Sequence, residues 1–262
     1  MGKVITFHSY KGGTGKSFLS LNVGAYLALK GEKVVLLDYD FRAPTLIHKF
    51  KSSNKNLSWL NDYLDSKIDF SEVLSNFSDE IGGNGSFFIA FASPRTRDMQ
   101  EMQLKTRKWQ QRALTLLMKA IMEIKENFDW IIIDSSPGVT YDSLNAMSSS
   151  DAIILVSTPD YADIQGTSEM TLEIWPSLMK FGAVPSIVLN KVPRAEIHSE
   201  QLFDTSDIER SLKEDNNIPI IARIPVYCDK SILSKEIFFK EYPEHPLCTE
   251  IEKLAQILLE KK

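Results

Sequence analysis

Apolar residues fall into two alternating rhythms along this chain. Runs rich in β-branched and aromatic residues at 4–7, 33–37, 87–91, 130–133, 152–156, 186–189 and 219–222 predict strands. Stretches with helical spacing predict helices over 18–29, 57–64, 70–74, about 99–127, 141–147, 164–181 and 248–260. Nearly continuous apolar runs such as Ile131-Ile132-Ile133 suit strands buried on both faces. The alternation of strand and helix predicts an α/β fold, a mostly parallel central sheet with helices on both faces. No internal repeat and no Pro/Ser-rich linker interrupts it, so one domain over 1–262 is expected.

The strongest chemical signal lies between the first strand and the first helix. There the chain reads His8-Ser9-Tyr10-Lys11-Gly12-Gly13-Thr14-Gly15-Lys16-Ser17. Glycines let a backbone wrap closely round phosphates, and the N–H groups of a helix start favour negative charge. In such a loop Lys16 reaches the β- and γ-phosphates of a nucleotide and the Ser17 hydroxyl ligates Mg²⁺. The pattern departs from G-x-x-x-x-G-K-[ST] at its first position, which is Tyr10, and it carries a second lysine, Lys11.

KGGxGK[ST] is the deviant Walker A signature, and on these residues the chain resembles the ParA/MinD family of P-loop ATPases. The resemblance implies a P-loop NTPase fold, ATP and Mg²⁺ as ligands, and nucleotide contacts along Lys11, Gly12, Gly13, Thr14, Gly15, Lys16, Ser17 and Phe18. It also implies a homodimer with ATP sandwiched between the copies, in which Lys11 touches the partner's nucleotide.

Two further acids end strands. Val34-Val35-Leu36-Leu37 leads into Asp38-Tyr39-Asp40-Phe41-Arg42-Ala43-Pro44, and Ile131-Ile132-Ile133 leads into Asp134-Ser135-Ser136-Pro137-Gly138. In open α/β sheets ligands bind at the carboxyl ends of the strands. An apolar strand ending in an acid is the Walker B arrangement, which holds Mg²⁺ directly or through water. The resemblance makes 38–40 switch I, with Asp38 near the Mg²⁺ shell and Asp40 positioning the attacking water, and it makes the Ser-Pro-Gly turn switch II. The catalytic set is then Lys11, Lys16 and Asp40, and the metal set Ser17, Asp38 and Asp134. Asn190 ends Ile187-Val188-Leu189, and an amide both donates to and accepts from an adenine edge. Pro225 and Val226 resemble the family loop that packs on the base. The matches run from 1 to about 255.

Composition narrows the branch. Two cysteines, Cys228 and Cys248, give neither a disulfide framework nor a CxxC pair, which fits a reducing cytoplasm and disfavours the iron–sulfur and tail-anchor-targeting branches. His8, His48, His198 and His245 are scattered and read as structural. No apolar run is long enough to span a bilayer and no signal peptide leads the chain. Met1-Gly2 with Thr6 matches the N-myristoylation pattern formally, on residues that also start a buried strand. Ile251, Leu254, Ala255, Leu258 and Leu259 form one apolar stripe beside Glu250, Glu252 and Glu260, which suits core packing better than membrane binding.

The net charge of −5 gives no global footprint for nucleic acid. Locally Arg95, Arg97, Lys105, Arg107, Lys108 and Arg112 cluster around Trp109, readable as a solvated helix face or as a surface for nonspecific DNA or an acidic partner. The expected function is an Mg-dependent ATPase switch that positions or partitions DNA or other cargo with an unidentified activator protein. Two other classes stay open. One is a tyrosine kinase of the bacterial type, which shares D-x-D-x-R-x-P but lacks the KGG lysine and ends in a tyrosine cluster. The other is a small-molecule P-loop enzyme.

Overall fold

In the computed structural model, which describes residues 1–50, 57–193, 218–227 and 237–260, eight strands form one sheet in the order β3-β4-β2-β5-β1-β6-β7-β8. The strands are β1 Lys3–His8, β2 Lys33–Tyr39, β3 Leu74–Asn76, β4 Ser86–Ala90, β5 Trp130–Ser135, β6 Ala152–Ser157, β7 Val184–Val192 and β8 Ile220–Pro225. All pairings are parallel except β3 with β4 at one edge. The helices are α1 Lys16–Leu29, α2 Leu60–Leu64, α3 Ser78–Ile81, α4 Thr96–Gln103, α5 Arg107–Ile124, α6 Tyr141–Ser148 and α7 Tyr161–Leu178. A C-terminal helix spans Pro246–Glu260. This is the expected α/β class, a mostly parallel sheet carrying a phosphate-loop strand at its centre.

Strand alternation divides the core. Ile5, Phe7, Leu36 and Ile132 pack with α1 and the C-terminal helix, while Val4, Val35, Leu37, Ile131 and Ile133 pack with α2 and α5. A third cluster sets Ile153, Leu155, Ile187 and Leu189 against Ile164, Met170 and Leu178 of α7. The C-terminal stripe is core, as its pattern indicated: Ile251, Leu254, Ala255 and Leu258 are buried, and Leu259 packs beside them. Among the described residues no helix is long and apolar enough to cross a membrane.

Two expectations need correction. The helix expected over about 99–127 is two helices, α4 and α5. Thr106 restarts the helix as its N-cap, accepting from the Trp109 N–H at 3.3 Å. A side-chain cap of this kind satisfies a helix-start donor. The helix expected from 57 begins at Leu60, and the short edge strand β3 and helix α3 carried too few residues for a periodic signal. Gly2, which carries the myristoylation pattern, is built into the fold: its N–H donates to Lys125 O at 2.7 Å, and a Cβ would lie 2.1 Å from Phe128 O.

Close packing of α1 on the sheet fixes the helix that starts the phosphate loop. A Cβ at Gly24 would lie 3.1 Å from both Ile132 Cδ1 and Phe87 Cε2. A branched side chain there overpacks the seam. Gly24→Val is expected to destabilise the fold by about 1–3 kcal/mol, read as a lower urea midpoint with an unchanged slope.

Candidate nucleotide site

Parallel register builds the site before any side chain is considered. Asp38 of β2 is paired with Asp134 of β5, and Asp134 is also paired with Phe7 of β1, one residue before His8. Two acids and the start of the glycine loop therefore meet at the carboxyl ends of three adjacent strands. The loop passes from β1 into α1 through Gly15, which N-caps α1 with φ 96° in the left-handed region. A side chain at Gly15 is excluded twice, by that φ and by Asn190 Nδ2, 2.3 Å from where its Cβ would lie.

Lys16 and Asp134 form a buried ion pair, Nζ to Oδ1 at 2.6 Å, and Lys16 Nζ also reaches Ser17 Oγ at 3.2 Å. The second oxygens, Asp38 Oδ2 and Asp134 Oδ2, are buried and have no hydrogen-bond partner among the described residues. Burial, then the neighbouring Asp134 and Asp40 charges, push the Asp38 carboxyl well above the usual carboxylate range. Asp40 is raised too, by burial and Asp134, against the opposing pull of Lys16. Its Oδ1 accepts from the N–H groups of Arg42 and Ala43, which fixes the turn that follows β2. Two orphaned carboxylate oxygens beside a hydroxyl are hard oxygen donors, the set that a small divalent cation prefers.

A cleft of about 340 Å³ is lined by Gly12 to Phe18, Ser9, Asp40, Ala43, Thr45 and Pro137. It gathers most of the phosphate-side residues foreseen in the sequence and adds Ser9, Thr45 and Pro137. An adjoining cavity of about 270 Å³ is lined by Gly15, Phe18, Asn190, Pro225, Val226, Tyr227 and Leu247, among others. Asn190, Pro225 and Val226, far apart in sequence, thus converge beside the loop. Asn190 already donates to Thr14 O at 2.7 Å, and Lys191, with φ 59°, donates to Gly13 O at 2.6 Å. Strand β7 therefore grips the loop carbonyls through two consecutive residues.

The placement of Lys11 differs from that of Lys16. It lines a second, open cavity of about 440 Å³ on the other side of Gly12, Gly13 and Thr14, with Asp160, Asp163 and Lys191. Its Nζ pairs with Asp160 Oδ1 at 2.6 Å. That hydrogen bond raises the Lys11 ammonium and lowers the Asp160 carboxyl. Asp160 is legible in sequence only as a helix cap, because its partner lies at the other end of the chain.

Residues 2–177 match the AAA domain family. The chain is 27% identical over 229 residues to the septum site-determining protein MinD of Thermotoga maritima, covering 86% of this chain and 76% of that one. It is 29% identical over 169 residues to the chromosome-partitioning ATPase Soj of Treponema pallidum, covering 63% of this chain and 61% of that one. The chain belongs to the ParA/MinD family of P-loop ATPases. The structure of Pyrococcus horikoshii MinD complexed with Mg-ADP superposes on this ParA/MinD chain with a TM-score of 0.74 at 22% identity, over 98% of this chain and 96% of that one.

In the basic stretch of this ParA/MinD protein, Lys105 is half-buried and the five arginine and lysine side chains around it are exposed, several of them in local contacts. Asp65 receives Lys105 Nζ at 2.6 Å and Trp109 Nε1 at 2.9 Å, Lys105 lies over the Trp109 ring, and Arg97 pairs with Glu101. Arg112 donates to Ser66 Oγ and Arg95 lies over the Trp59 ring. Trp109 is consequently no stacking platform. Arg107 and Lys108 stand exposed at the start of α5. Cys228 and His198 lie outside the described residues. Cys248 is half-buried, and His245 packs against the rings of Tyr227 and Phe238.

His8 shares the α6 face of β1 with Thr6, which donates to Ala146 O. It is fully buried, its Nδ1 is 2.8 Å from Ser135 Oγ, and burial with the nearby Lys16 charge lowers its pKa from 6.5 to about 3. Folded His8 stays neutral while the unfolded chain protonates below 6.5, so its contribution is complete above 6.5 and declines as pH falls toward 3. Between pH 6 and 4 this group should cost about 1 kcal/mol of stability per pH unit. Urea denaturation of wild type and His8→Gln across that range should show the stability difference between them changing by about 1 kcal/mol per pH unit.

Proposed function

We propose that this chain is an Mg-dependent ATPase switch, with residues 1–262 acting as one domain that dimerises across ATP. The observation that carries the reading is the division between the two loop lysines. Lys16 lines the cleft with Ser17 and Asp40, its Nζ paired with the buried Asp134, whereas Lys11 is held at the rim, where a second copy would meet it. Relatives named for septum-site determination and for chromosome partitioning support cargo positioning as the use of such a switch.

Each side chain has a role in that reading. Triphosphate entering the loop competes with Asp134 for Lys16, so binding exchanges a buried internal ion pair for a phosphate contact. Ser17, Asp38 and Asp134 would hold Mg²⁺, whose charge offsets that of the β- and γ-phosphates. Asp40 stands at the cleft wall, fixed by the Arg42 and Ala43 N–H groups, in position to orient a water toward the γ-phosphate. The base enters the cavity of Asn190, Pro225 and Val226. Asn190 Nδ2 is already engaged by Thr14 O, which leaves Oδ1 to accept from an adenine amino group. Lys11 leaves Asp160 and neutralises phosphate charge on the other copy, so turnover needs two copies. Losing the γ-phosphate loosens the switch segments and the dimer. An unidentified activator protein stimulates that step. With Lys105 drawn to Asp65 and Arg97 paired with Glu101, Arg95, Arg107, Lys108 and Arg112 remain exposed and uncompensated by an acid in these contacts, a modest footprint for nonspecific DNA.

Asp40→Ala should keep its ATP affinity within about threefold and lower turnover by about 100-fold or more, the scale of a lost general base. ATP should shift its elution in size-exclusion chromatography to that of a dimer. An elution volume indifferent to ATP overturns the dimer, and normal hydrolysis by the variant overturns the role of Asp40. Lys11→Ala should bind ATP and stay monomeric, and wild-type turnover per protomer should rise with protein concentration.

A further inference from the structure

The first position of the phosphate loop holds a tyrosine where the general pattern has glycine, and the structure gives that side chain a specific seat. A Cβ built at Gly166 of α7 would lie 2.0 Å from Tyr10 Cε1, 2.3 Å from Cδ1 and 2.4 Å from Cζ. The ring therefore occupies the space that any other residue at 166 would fill. Glycine is a poor choice in a helix interior, and here it opens the notch that takes the ring. The next residue, Lys11, pairs with Asp160, which N-caps the same helix by accepting from the Asp163 N–H at 3.0 Å. Positions 160 and 166 are separated by about 9 Å of helix axis. Two consecutive loop residues thus grip two points of α7, one by packing and one by charge.

We infer that Tyr10 is a positioning residue for Lys11: its ring, seated on Gly166, keeps the adjacent lysine parked on Asp160. The exposed ion pair is weak by itself, since such pairs are screened by water and salt. Ring packing adds what the pair lacks, a fixed path for the backbone at Lys11. That backbone is also tied from beneath, because Ser9 Oγ donates to Lys11 O at 2.8 Å and Gly138 N–H donates to Ser9 O at 2.9 Å. A seated ring therefore favours the backbone path from which Lys11 reaches Asp160, and anything that empties the notch shifts the population toward a free Lys11. The inference rests on the proposed role of Lys11 for its functional consequence, but the parking itself is a property of the protein without nucleotide.

The test reads Lys11 directly. Nucleotide-free protein is acylated with sulfosuccinimidyl acetate, and the labelling rate of Lys11 relative to Lys119 is measured by peptide mass spectrometry. Tyr10→Ala and Gly166→Ala, one emptying the notch and the other filling it, should each speed labelling by about threefold or more. The double variant should show no further gain, because both changes break one contact. Tyr10→Phe, which keeps the ring, should label as wild type does. In ATP the two alanine variants should dimerise at lower protein concentration than wild type. Unchanged or slower labelling in both alanine variants overturns the inference, as does a Phe variant that behaves like Ala, or effects that multiply in the double variant. If Gly166→Ala does not fold, Tyr10→Ala against Tyr10→Phe decides the matter alone. A wild type that never dimerises with ATP overturns the proposed function, and the labelling result stands independently of it.

Discussion

A buried charge cluster at the ends of three parallel strands constrains the rest of this structure. Asp38 and Asp134 lie side by side because β2 and β5 are in register, and Lys16, at 2.6 Å from Asp134, brings positive charge to the pair. Buried charges of one sign are tolerable only when paired or neutralised. The glycine loop must therefore deliver Lys16 to this point. Gly15 supplies the left-handed turn that does so, and α1, seated closely on the sheet through Gly24, holds the delivery fixed. Within the cluster two carboxylate oxygens have no partner among the described residues, and the Asp38 carboxyl is raised by its surroundings.

Around the cluster the loop is held from two sides. From β7, Asn190 and Lys191 take the carbonyls of Thr14 and Gly13. From α7, Gly166 and Asp160 take the side chains of Tyr10 and Lys11. The first grip lies next to the cavity of Asn190, Pro225 and Val226, and the second lies beside the cavity that Lys11 lines.

Helix α5 shows how a charge run in sequence becomes structure. Six basic residues near Trp109 suggest a binding face, but Asp65 lies across from them and draws in both Lys105 and the Trp109 indole. The acid is separated from them by some forty residues, and nothing in the run itself announces it. The break between α4 and α5 has the same origin, with the Thr106 cap and the Asp65 contacts fixing where the second helix starts.

The sequence by itself determined the fold class, seven of the eight strands and the chemistry of the loop. Those features follow from local periodicity and from residue types whose backbone demands are strong: Gly15, Lys16-Ser17, and acids closing apolar strands. The conjunction of Asp38 with Asp134 was legible because strand ends in a parallel sheet share one edge, whereas Pro225 and Val226 were marked only by the resemblance to the family. Tertiary structure alone decided the partners of Lys11, Tyr10 and Lys105, and the position of β3. Each depends on packing between segments far apart in the chain, where side-chain reach and helix placement choose the contact. No local pattern encodes a notch at Gly166 waiting for a ring at Tyr10, since either residue is ordinary until α7 is laid beside the loop.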